Sequence, residues 1–350
     1  MKAATLNKEE HSKIIDGGRP PMAVILDMIS GMWVSRIIYL AAKLGIADLL
    51  SEGPKSSEEL ARATATDSQS LYRVLRALAS FGIFIETSDH TFALNPMGEF
   101  LRTGPHTLRA FVLMMGEPWQ MRTWEEVMYS VKTGKSAFEK ANGAGIWEYF
   151  GKNREAGRIF DEAMISFSSM AINGVTTQYD FSSFRKIVDV GGGSGHLLAA
   201  ILKANPQLKG ILSDLPGVIE GAKSLITKEG VAQRCNFIAG DCLQSVPDGG
   251  DAYLLKHLIH LFQDEQAIAV LKNCRSVMAP KGKLLLIEMV IPRGNEPFYG
   301  KLLDVMMLLG PGGRDRTETE YGTLLSAAGF KLTRVISTES PVSIIESVPK

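Results

Sequence analysis

The sequence has little that would mark a binder of charged polymers or a disordered chain. Lys plus Arg and Asp plus Glu number 38 each, so no excess charge draws the protein to nucleic acid, an anionic membrane or an acidic polymer. The 34 glycines are dispersed and form no low-complexity tract. We therefore expect an ordered protein that binds a small molecule, with neither nucleic acid nor a membrane as its partner.

Cysteine is scarce, and its positions argue against two common types of site. Cys235, Cys242 and Cys274 are odd in number and lack the paired spacing of a disulfide framework or a zinc centre. We therefore expect free thiols, no metal and a reducing, cytoplasmic location.

The N-terminal region lacks a secretion signal and an uninterrupted membrane span. Residues 1–16 contain no apolar core segment of the kind that a signal peptide needs. The apolar stretch 22–50 is interrupted by Asp27, Arg36 and Lys43, which a bilayer-spanning helix tolerates poorly. This stretch is predicted to form buried helices of a soluble protein.

A helical pattern that ends in a small hairpin follows. Asp67 is placed to cap a helix over Ser68–Ser80, and Ser57 is placed to start the helix before it. Short apolar runs at 83–85 and 91–94 predict the hairpin. Two helices followed by a hairpin are typical of a winged-helix domain.

After residue 181 the pattern changes to short apolar strands that alternate with helices, which predicts an α/β fold with a parallel sheet covered on both faces. A closing pair of strands without a helix between them predicts a hairpin that adds an antiparallel edge. The predicted strands are 186–190, 210–214, 236–239, 252–256, 283–291, 330–337 and 343–348.

A glycine-rich loop at 191–195 lies between the first of these strands and a helix over 196–204. Glycine allows tight turns and close approach to a ligand, and the free amides of a helix N-terminus favour an anionic group. His196 stands where a dinucleotide fingerprint has its third glycine, and no Gly-Lys-Ser/Thr follows to hold a triphosphate. Asp214 and Asp241 end the next two strands, where acids can bind ribose hydroxyls and the amine of adenine.

These features together make the chain resemble the O-methyltransferase family that includes plant caffeic acid and hydroxyindole enzymes and bacterial phenazine and polyketide tailoring enzymes. The likeness extends over nearly the whole chain. Its matching segments are the winged-helix region, 123–126 with Gly134 and Phe138, 188–195, 213–216, 240–241, 256–265 and 312–317.

The resemblance implies a Rossmann-like domain with a mostly parallel seven-stranded sheet, preceded by a mainly helical dimerisation domain. Its parts would be a winged-helix-like domain over 1–106, a helical linker that contributes to the substrate pocket over 107–180, and a catalytic domain over 181–350. Two chains would form a homodimer through the N-terminal helices. The cofactor would be S-adenosylmethionine, with S-adenosylhomocysteine as product. The implied cofactor contacts are Gly191, Gly193, Asp214, Leu215, Asp241, Cys242 and Lys256.

For catalysis the family carries a histidine after the fourth strand, and His260 matches it. An imidazole with a pKa near 6.5 can accept a proton at neutral pH. Glu288 and Asp315 match the pair of acids that flank and orient this base. His257 is the competing candidate, but its place beside Lys256 favours a structural role. The sequence departs from the family at Leu261, where an aspartate is usual, and at Phe262, where a tryptophan is usual.

The positions that line the family's substrate pocket correspond to Phe160, Met164, Phe167 and Met306. All four are apolar, which favours a planar aromatic acceptor gripped by ring and sulfur contacts. The expected reaction is O-methylation of a phenolic or polyketide-type secondary metabolite. An apolar pocket leaves open methylation at nitrogen or carbon.

Three alternatives remain at this point. A relative of the same fold can bind S-adenosylmethionine without transferring its methyl group, and Leu261 keeps that alternative open. A winged-helix DNA-binding regulator would need a basic recognition helix, whereas the helix over Ser68–Ser80 is largely apolar. An NAD oxidoreductase is disfavoured by the glycine spacing.

Overall fold

The computed structural model describes residues 19–104 and 107–350, without the side chains of 168–170. The N-terminal segment 1–16, with the prediction about a secretion signal, lies outside the described residues. The chain divides into two compact units, with the boundary between Gly116 and Glu117. The predicted linker 107–180 is thereby shared between the two units.

The first unit is mainly helical and contains a small antiparallel sheet of three strands. Its core is formed by residues such as Leu60, Leu75, Phe84 and Phe92. Its helices are Pro21–Lys43, Ile46–Leu50, Ser57–Thr64, Ser68–Ser80, Pro96–Glu99 and Arg109–Gly116, and its strands are β1 Lys55–Ser56, β2 Ile85–Ser88 and β3 Thr91–Ala93.

Capping side chains explain where two of these helices begin. Asp67 accepts a hydrogen bond from the Ser70 amide at 2.8 Å, so the helix Ser68–Ser80 starts where the sequence predicts. The preceding helix is capped by Ser56 rather than by Ser57, because the Ser56 hydroxyl and the Glu59 carboxylate form a reciprocal capping box.

The helix Pro21–Lys43 departs from the prediction of buried helices. Within the single chain it buries only Val24, Ala41 and Ala42. It is also the one helix in the described part of the chain that is long and apolar enough to cross a membrane by length and composition. Large apolar side chains are exposed along its first turns: Met22, Ile25, Leu26, Met28, Ile29, Met32 and Trp33.

The second unit contains a seven-stranded sheet flanked by helices. Its helices are Pro118–Glu125, Val127–Thr133, Ala137–Asn142, Ile146–Lys152, Arg154–Gln178, His196–Ala204, Pro216–Lys228, Asp264–Val277, Tyr299–Leu309 and Glu318–Ala327, with short 3-10 turns at Ala232–Arg234 and Ile259–Leu261. Its strands are β4 Lys186–Val190, β5 Lys209–Asp214, β6 Cys235–Ala239, β7 Ala252–Lys256, β8 Lys283–Glu288, β9 Phe330–Ser337 and β10 Ser343–Pro349.

The strand order is β6-β5-β4-β7-β8-β10-β9, with β4 to β8 parallel and the β9–β10 hairpin antiparallel. The predicted fold class is confirmed. From β4 the chain first adds β5 and β6 on one side of the sheet. It then crosses back to place β7 on the other side of β4, and β8 follows beside β7. In such sheets a crevice opens beyond the carboxyl ends of the strands where the order reverses, here between β4 and β7.

One strand is shorter than predicted. β8 ends at Glu288 instead of Ile291, because the chain beyond it leaves β7 and pairs elsewhere. Val290 forms an isolated parallel bridge with Arg316, and the Ile291 amide donates to the Arg316 carbonyl at 3.0 Å. The effect is to bring the segment around Arg316 alongside the end of β8.

Candidate active site

The glycine loop after β4 has the backbone geometry that glycine permits. Gly191 and Gly193 have φ angles of +66° and +58°, which side chains with a Cβ rarely adopt. The Gly191 amide donates to the Ser213 carbonyl at 2.8 Å, which ties the loop to β5. A Cβ at Gly191 would lie 2.8 Å from the Leu258 side chain, whereas one at Gly193 would meet nothing within 4 Å. Gly193 therefore presents bare backbone to open space.

Asp214, at the end of β5, is fixed by two backbone amides. Its Oδ2 accepts from Gly193 at 2.8 Å and its Oδ1 accepts from Leu215 at 2.7 Å. Burial raises the pKa of Asp214, while the two amides act in the opposite direction. Each carboxylate oxygen has a second lone pair, so the group can still accept hydrogen bonds from a ligand's hydroxyls.

The loops after β6 and β7 bring further predicted residues to the same edge of the sheet. The Asp241 Oδ1 accepts from the Leu243 amide at 2.9 Å, and Cys242 is half-buried beside it. Lys256 ends β7, and burial lowers the pKa of its ammonium. Leu215 is 44% exposed and offers an apolar surface.

Asp189, which lies in the matching segment 188–195 but was assigned no role from the sequence, is a nearly fully buried acid in β4 whose carboxylate packs under the glycine loop. A Cβ at Gly192 would lie 2.7 Å from its Oδ2. Burial raises the pKa of Asp189 to about 7, while the charge of Lys256 opposes the shift. The signal was available, since an acid in the middle of an otherwise apolar strand requires a reason.

The edge of the sheet therefore offers backbone that a ligand can approach closely at Gly193, two half-buried carboxylates and an apolar rim. These groups fit a nucleoside-type cofactor with a carboxylate, since acids can accept from ribose hydroxyls and from the adenine amine. The seven predicted cofactor residues all lie at or just after the carboxyl ends of β4 to β7.

His260 lies in the 3-10 turn Ile259–Leu261 after β7 and is only 5% exposed. Its Nδ1 is 3.2 Å from the Asp315 Oδ1 and 3.6 Å from the Glu288 Oε2. Nδ1 is thus the nitrogen that donates to Asp315 and faces the charge of Glu288, and Nε2 is left to accept a proton.

Glu288 is completely buried and holds the turn that carries His260. Its Oε1 accepts from the amides of Leu258 at 3.1 Å and Ile259 at 2.8 Å. Its Oε2 has no hydrogen-bond partner among the described residues and faces the imidazole. One carboxylate therefore both positions the backbone of the turn and supplies negative charge to the ring.

The two acids change the proton affinity of the ring. Burial by itself would lower the pKa of His260, but the charge of Glu288 and the hydrogen bond and charge of Asp315 outweigh it, so this pKa is raised. Burial also opposes ionisation of Glu288, yet the facing imidazoles hold its pKa below the usual range. An imidazole in this setting can take up a proton and be stabilised as a cation.

The segment 313–316 explains how His260 is held although Leu261 replaces the usual aspartate. The Arg314 amide donates to the His260 carbonyl at 2.9 Å. Arg316, only 1% exposed, donates to the carbonyls of Ile259 and Phe262. The turn is thus fixed from outside, and Leu261 packs in the core instead.

Asp304, which sequence reasoning also missed, accepts from the Asp315 amide at 2.8 Å. It lies within the helix Tyr299–Leu309, where a polar residue among apolar neighbours gave no signal of its partner. Its contact helps to position Asp315 opposite the imidazole.

His257, predicted to have a structural role, lies in the turn after β7 with a φ of +50°. Its ring centroid is 5.1 Å from that of His260, and its Nδ1 is 3.8 Å from the Glu288 Oε2, which is beyond hydrogen-bond distance. Burial, with the charges of Lys256 and His260 adding to it, lowers the pKa of His257 to about 4. Its imidazole is therefore neutral.

One ring nitrogen of His257, one of His260 and a carboxylate oxygen of Glu288 lie within 4.8 Å of one another, close enough to surround a metal ion. The other contacts of the cluster are those of a proton-handling site, since the His260 Nδ1 already pairs with Asp315 and the Glu288 Oε1 with amides. That no metal takes part stays a prediction.

Three of the predicted substrate residues share one face of the helix Arg154–Gln178. Phe160, Met164 and Phe167 are spaced by four and three residues and are all half-buried. The Phe167 ring lies 5.9 Å from that of His257. Phe160 belongs to a different set of contacts, with its ring stacked 4.7 Å from that of Phe150. Met306 and Phe167 pack against the same buried cluster.

Comparison with protein families agrees with both units. An O-methyltransferase dimerisation domain matches residues 26–104, and an O-methyltransferase domain matches residues 124–331. These two matches lie on either side of the boundary between the units.

Known relatives resemble the chain over nearly its whole length. A phenazine O-methyltransferase, PhzM, of Lysobacter antibioticus is 43% identical, with 95% of this chain and 98% of the relative covered. A phenazine-1-carboxylate N-methyltransferase of Pseudomonas aeruginosa is 34% identical, with 89% and 92% covered. The crystal structure of the O-methyltransferase NcsB1 from neocarzinostatin biosynthesis, in complex with S-adenosylmethionine and 2-hydroxy-5-methyl naphthoic acid, superposes with a TM-score of 0.79 at 29% identity, covering 91% of this chain and 96% of that one.

The fold, the acids and glycines at the carboxyl ends of β4 to β7 and the similarity to these relatives lead to the same conclusion. The chain belongs to the O-methyltransferase family and is an S-adenosylmethionine-dependent methyltransferase of the type that tailors secondary metabolites.

Proposed function

We propose that the protein methylates a hydroxyl group of a small aromatic secondary metabolite, of phenolic or polyketide type, with His260 as the general base. The observation that carries this proposal is the 3.2 Å contact between the His260 Nδ1 and the Asp315 carboxylate, with Glu288 behind them. An imidazole held by acids in this way is poised to accept a proton at its other nitrogen.

The acids favour an oxygen acceptor over a nitrogen acceptor. A phenol must lose its proton to become a good nucleophile, whereas a neutral amine already has a free lone pair. Two buried carboxylates are costly to maintain unless their charge is used. Here they raise the proton affinity of His260, which is of use for a hydroxyl and of little use for an amine.

The cofactor is assigned to the edge formed by β4 to β7. S-adenosylmethionine supplies a sulfonium-activated methyl group. The residues proposed to hold it are Gly191, Gly193, Asp214, Leu215, Asp241, Cys242 and Lys256. Asp214, fixed by two amides, would take the ribose hydroxyls, and Asp241 would take the amine of adenine.

Positioning contributes more than proton transfer in this proposal. Holding the acceptor in line with the methyl group can supply about 7–11 kcal/mol, whereas a general base contributes about 10²–10⁴-fold in rate. Methyl transfer should therefore be slowed strongly, but not abolished, when His260 is lost.

The acceptor pocket is assigned to Phe160, Met164, Phe167 and Met306, which all lie in the second unit. Aromatic and thioether side chains suit a planar ring through stacking and sulfur contacts. The 2-hydroxy-5-methyl naphthoic acid in the NcsB1 complex is a ligand of this kind.

We further propose that the exposed apolar face of the helix Pro21–Lys43 is covered by a second copy of the chain in a homodimer. An exposed patch of this kind marks an interface more often than a free surface. The match of residues 26–104 to a dimerisation domain supports this partner over a bilayer or DNA, and the cytoplasm remains the expected location.

The test is methyl transfer from ¹³C-labelled S-adenosylmethionine to a panel of phenols, hydroxylated polyketides, indoles and phenazines, with the gain of a methyl group read by mass and its position by NMR. We expect a gain of one labelled methyl group on oxygen, with stoichiometric S-adenosylhomocysteine, and unchanged turnover after dialysis against EDTA. Label on nitrogen or carbon, or an oxygenated or decarboxylated product with the cofactor intact, would overturn the proposal.

A further inference from the structure

His257 carries two buried polar atoms that the base assembly does not use. Neither its Nδ1 nor its Nε2 has a hydrogen-bond partner in the part of the chain that the structure describes. Leaving a buried donor or acceptor unpaired is unfavourable, and native proteins keep few such groups. A group that stays unpaired in the protein alone is expected to find its partner in a ligand.

The backbone at His257 is also strained. Its φ of +50° lies in the left-handed region, although its amide is anchored to the Ile287 carbonyl at 3.0 Å. A non-glycine residue is held there when the surrounding structure imposes it, most often at functional sites. The turn ends β7 at the carboxyl edge of the sheet, one residue after Lys256.

The surroundings of the ring indicate which nitrogen is available. The Nδ1 lies 3.8 Å from the Oε2 of the Glu288 carboxylate, which favours placing the single proton of the neutral imidazole on Nδ1. Nε2 then carries a lone pair and can only accept. The ring is neutral because burial lowers its pKa to about 4.

The neighbours of the ring indicate where its ligand lies. The imidazoles of His257 and His260 are nearly parallel, with an angle of 27° between their planes and 5.1 Å between their centroids. The centroid of the Phe167 ring is 5.9 Å from that of His257. A planar acceptor that brings one polar group to His260 can bring a neighbouring polar group to His257.

We propose that His257 is a specificity-determining residue that accepts a hydrogen bond from a donor group of the substrate, a hydroxyl or an amine. This donor is carried by the ring carbon adjacent to the carbon that bears the methylated oxygen. The inference rests on the proposed function, because it assumes that the acceptor's reacting hydroxyl lies at His260. Its consequence is a preference for vicinal dihydroxy or amino-hydroxy aromatics over simple phenols.

The test compares 2,3-dihydroxynaphthalene with 2-naphthol, which differ by one donor. Binding is measured by calorimetry on the full-length protein loaded with S-adenosylhomocysteine, so that the result does not depend on methyl transfer. We expect the diol to bind wild-type protein about 10- to 100-fold more tightly, the range that an unpaired buried acceptor implies. In His257→Phe the preference should fall to less than about threefold, with 2-naphthol affinity retained, because the lost hydrogen bond affects the diol alone.

His257→Asn serves as the conservative variant, since asparagine tolerates the left-handed backbone and keeps an acceptor. It should restore part of the preference for the diol. Equal affinity of wild-type protein for the two probes, no measurable binding of either, or an equal loss for both in His257→Phe would overturn the inference. Methyl transfer to both probes at the same rate would reject it while leaving the proposed function intact.

Discussion

The backbone of Gly313 lies directly against the backbone of His260. A Cβ at position 313 would be 2.1 Å from the His260 carbonyl oxygen, a distance that no side chain can occupy. The neighbouring Arg314 amide donates to that same carbonyl at 2.9 Å. The position of the imidazole is therefore set by how closely a second segment of chain can approach it.

Gly313→Ala should consequently displace the turn that carries His260. We expect kcat to fall about tenfold or more while cofactor affinity changes little, because misplacing a base weakens proton transfer and orientation. Gly221→Ala is the matched control, since a Cβ there would meet nothing within 4 Å in a helix. Equal losses in the two variants would show that the close approach has no catalytic importance.

Replacing His260 and Asp214 should separate chemistry from cofactor binding. His260→Ala is expected to lower kcat about 10²–10⁴-fold with little change in the Kd for S-adenosylmethionine. Asp214→Ala should weaken cofactor binding most, because it removes the carboxylate fixed by the Gly193 and Leu215 amides. Calorimetry and steady-state kinetics measure the two effects, and similar losses of both quantities in either variant would contradict the assigned roles.

The acids around His260 predict a pH dependence. The neutral imidazole is the active form, and its pKa is raised above 6.5, so kcat/KM for a phenol should rise with pH through a transition above pH 6.5. Asp315→Asn removes a negative charge that stabilises the imidazolium, so this transition should move to lower pH. In the control Glu339→Gln, which changes an exposed acid, the transition should stay at the wild-type pH. A transition that also stays there in Asp315→Asn would argue against the contact between Asp315 and His260.

A second cluster of charges should govern stability in acid. The carboxylate of Glu346 accepts hydrogen bonds from Lys283, Arg334 and the Tyr179 hydroxyl. Burial opposes its ionisation, but these partners lower the pKa of Glu346 from 4.5 to about 2. Because the folded-state pKa is depressed, the stabilisation is present above about pH 4.5 and is lost as the pH falls towards 2.

Urea unfolding measured between pH 7 and pH 3 tests this cluster. Glu346→Gln should be less stable than wild type at pH 7, and the difference should shrink on acidification. A difference that stays constant with pH would assign the loss to packing instead of charge.

Much of the fold could be predicted because local signals agreed with the final structure. The helix His196–Ala204 follows a glycine loop, and the helix Ser68–Ser80 follows a capping aspartate, so the first residue of each helix could be predicted. The end of β8 could not be predicted from the sequence. A bridge between Val290 and Arg316 determines it, and such a long-range pairing leaves no local sequence pattern. The exposure of apolar side chains on the helix Pro21–Lys43 could not be predicted either, because an apolar side chain at an interface has the same sequence pattern as one in the core.

The candidate site was predicted unevenly for the same reason. His260, Glu288 and Asp315 could be named from short motifs, and the structure brings them within 3.6 Å of the ring nitrogen. The hydrogen bond between Asp304 and the Asp315 amide and the unpaired nitrogens of His257 depend on tertiary packing, so no sequence motif predicts them.

Base-assisted methylation at oxygen is tested most directly with an acceptor that offers both kinds of nucleophile, 2-aminophenol. The position of a ¹³C-labelled methyl group is read by NMR for wild-type protein and His260→Ala. We predict the methyl group on oxygen in the wild type, and an O-methylation rate at least about 100-fold lower in His260→Ala, because only the hydroxyl depends on the base. Methylation at nitrogen by the wild type, or O-methylation that survives in His260→Ala at the same rate, would contradict the account.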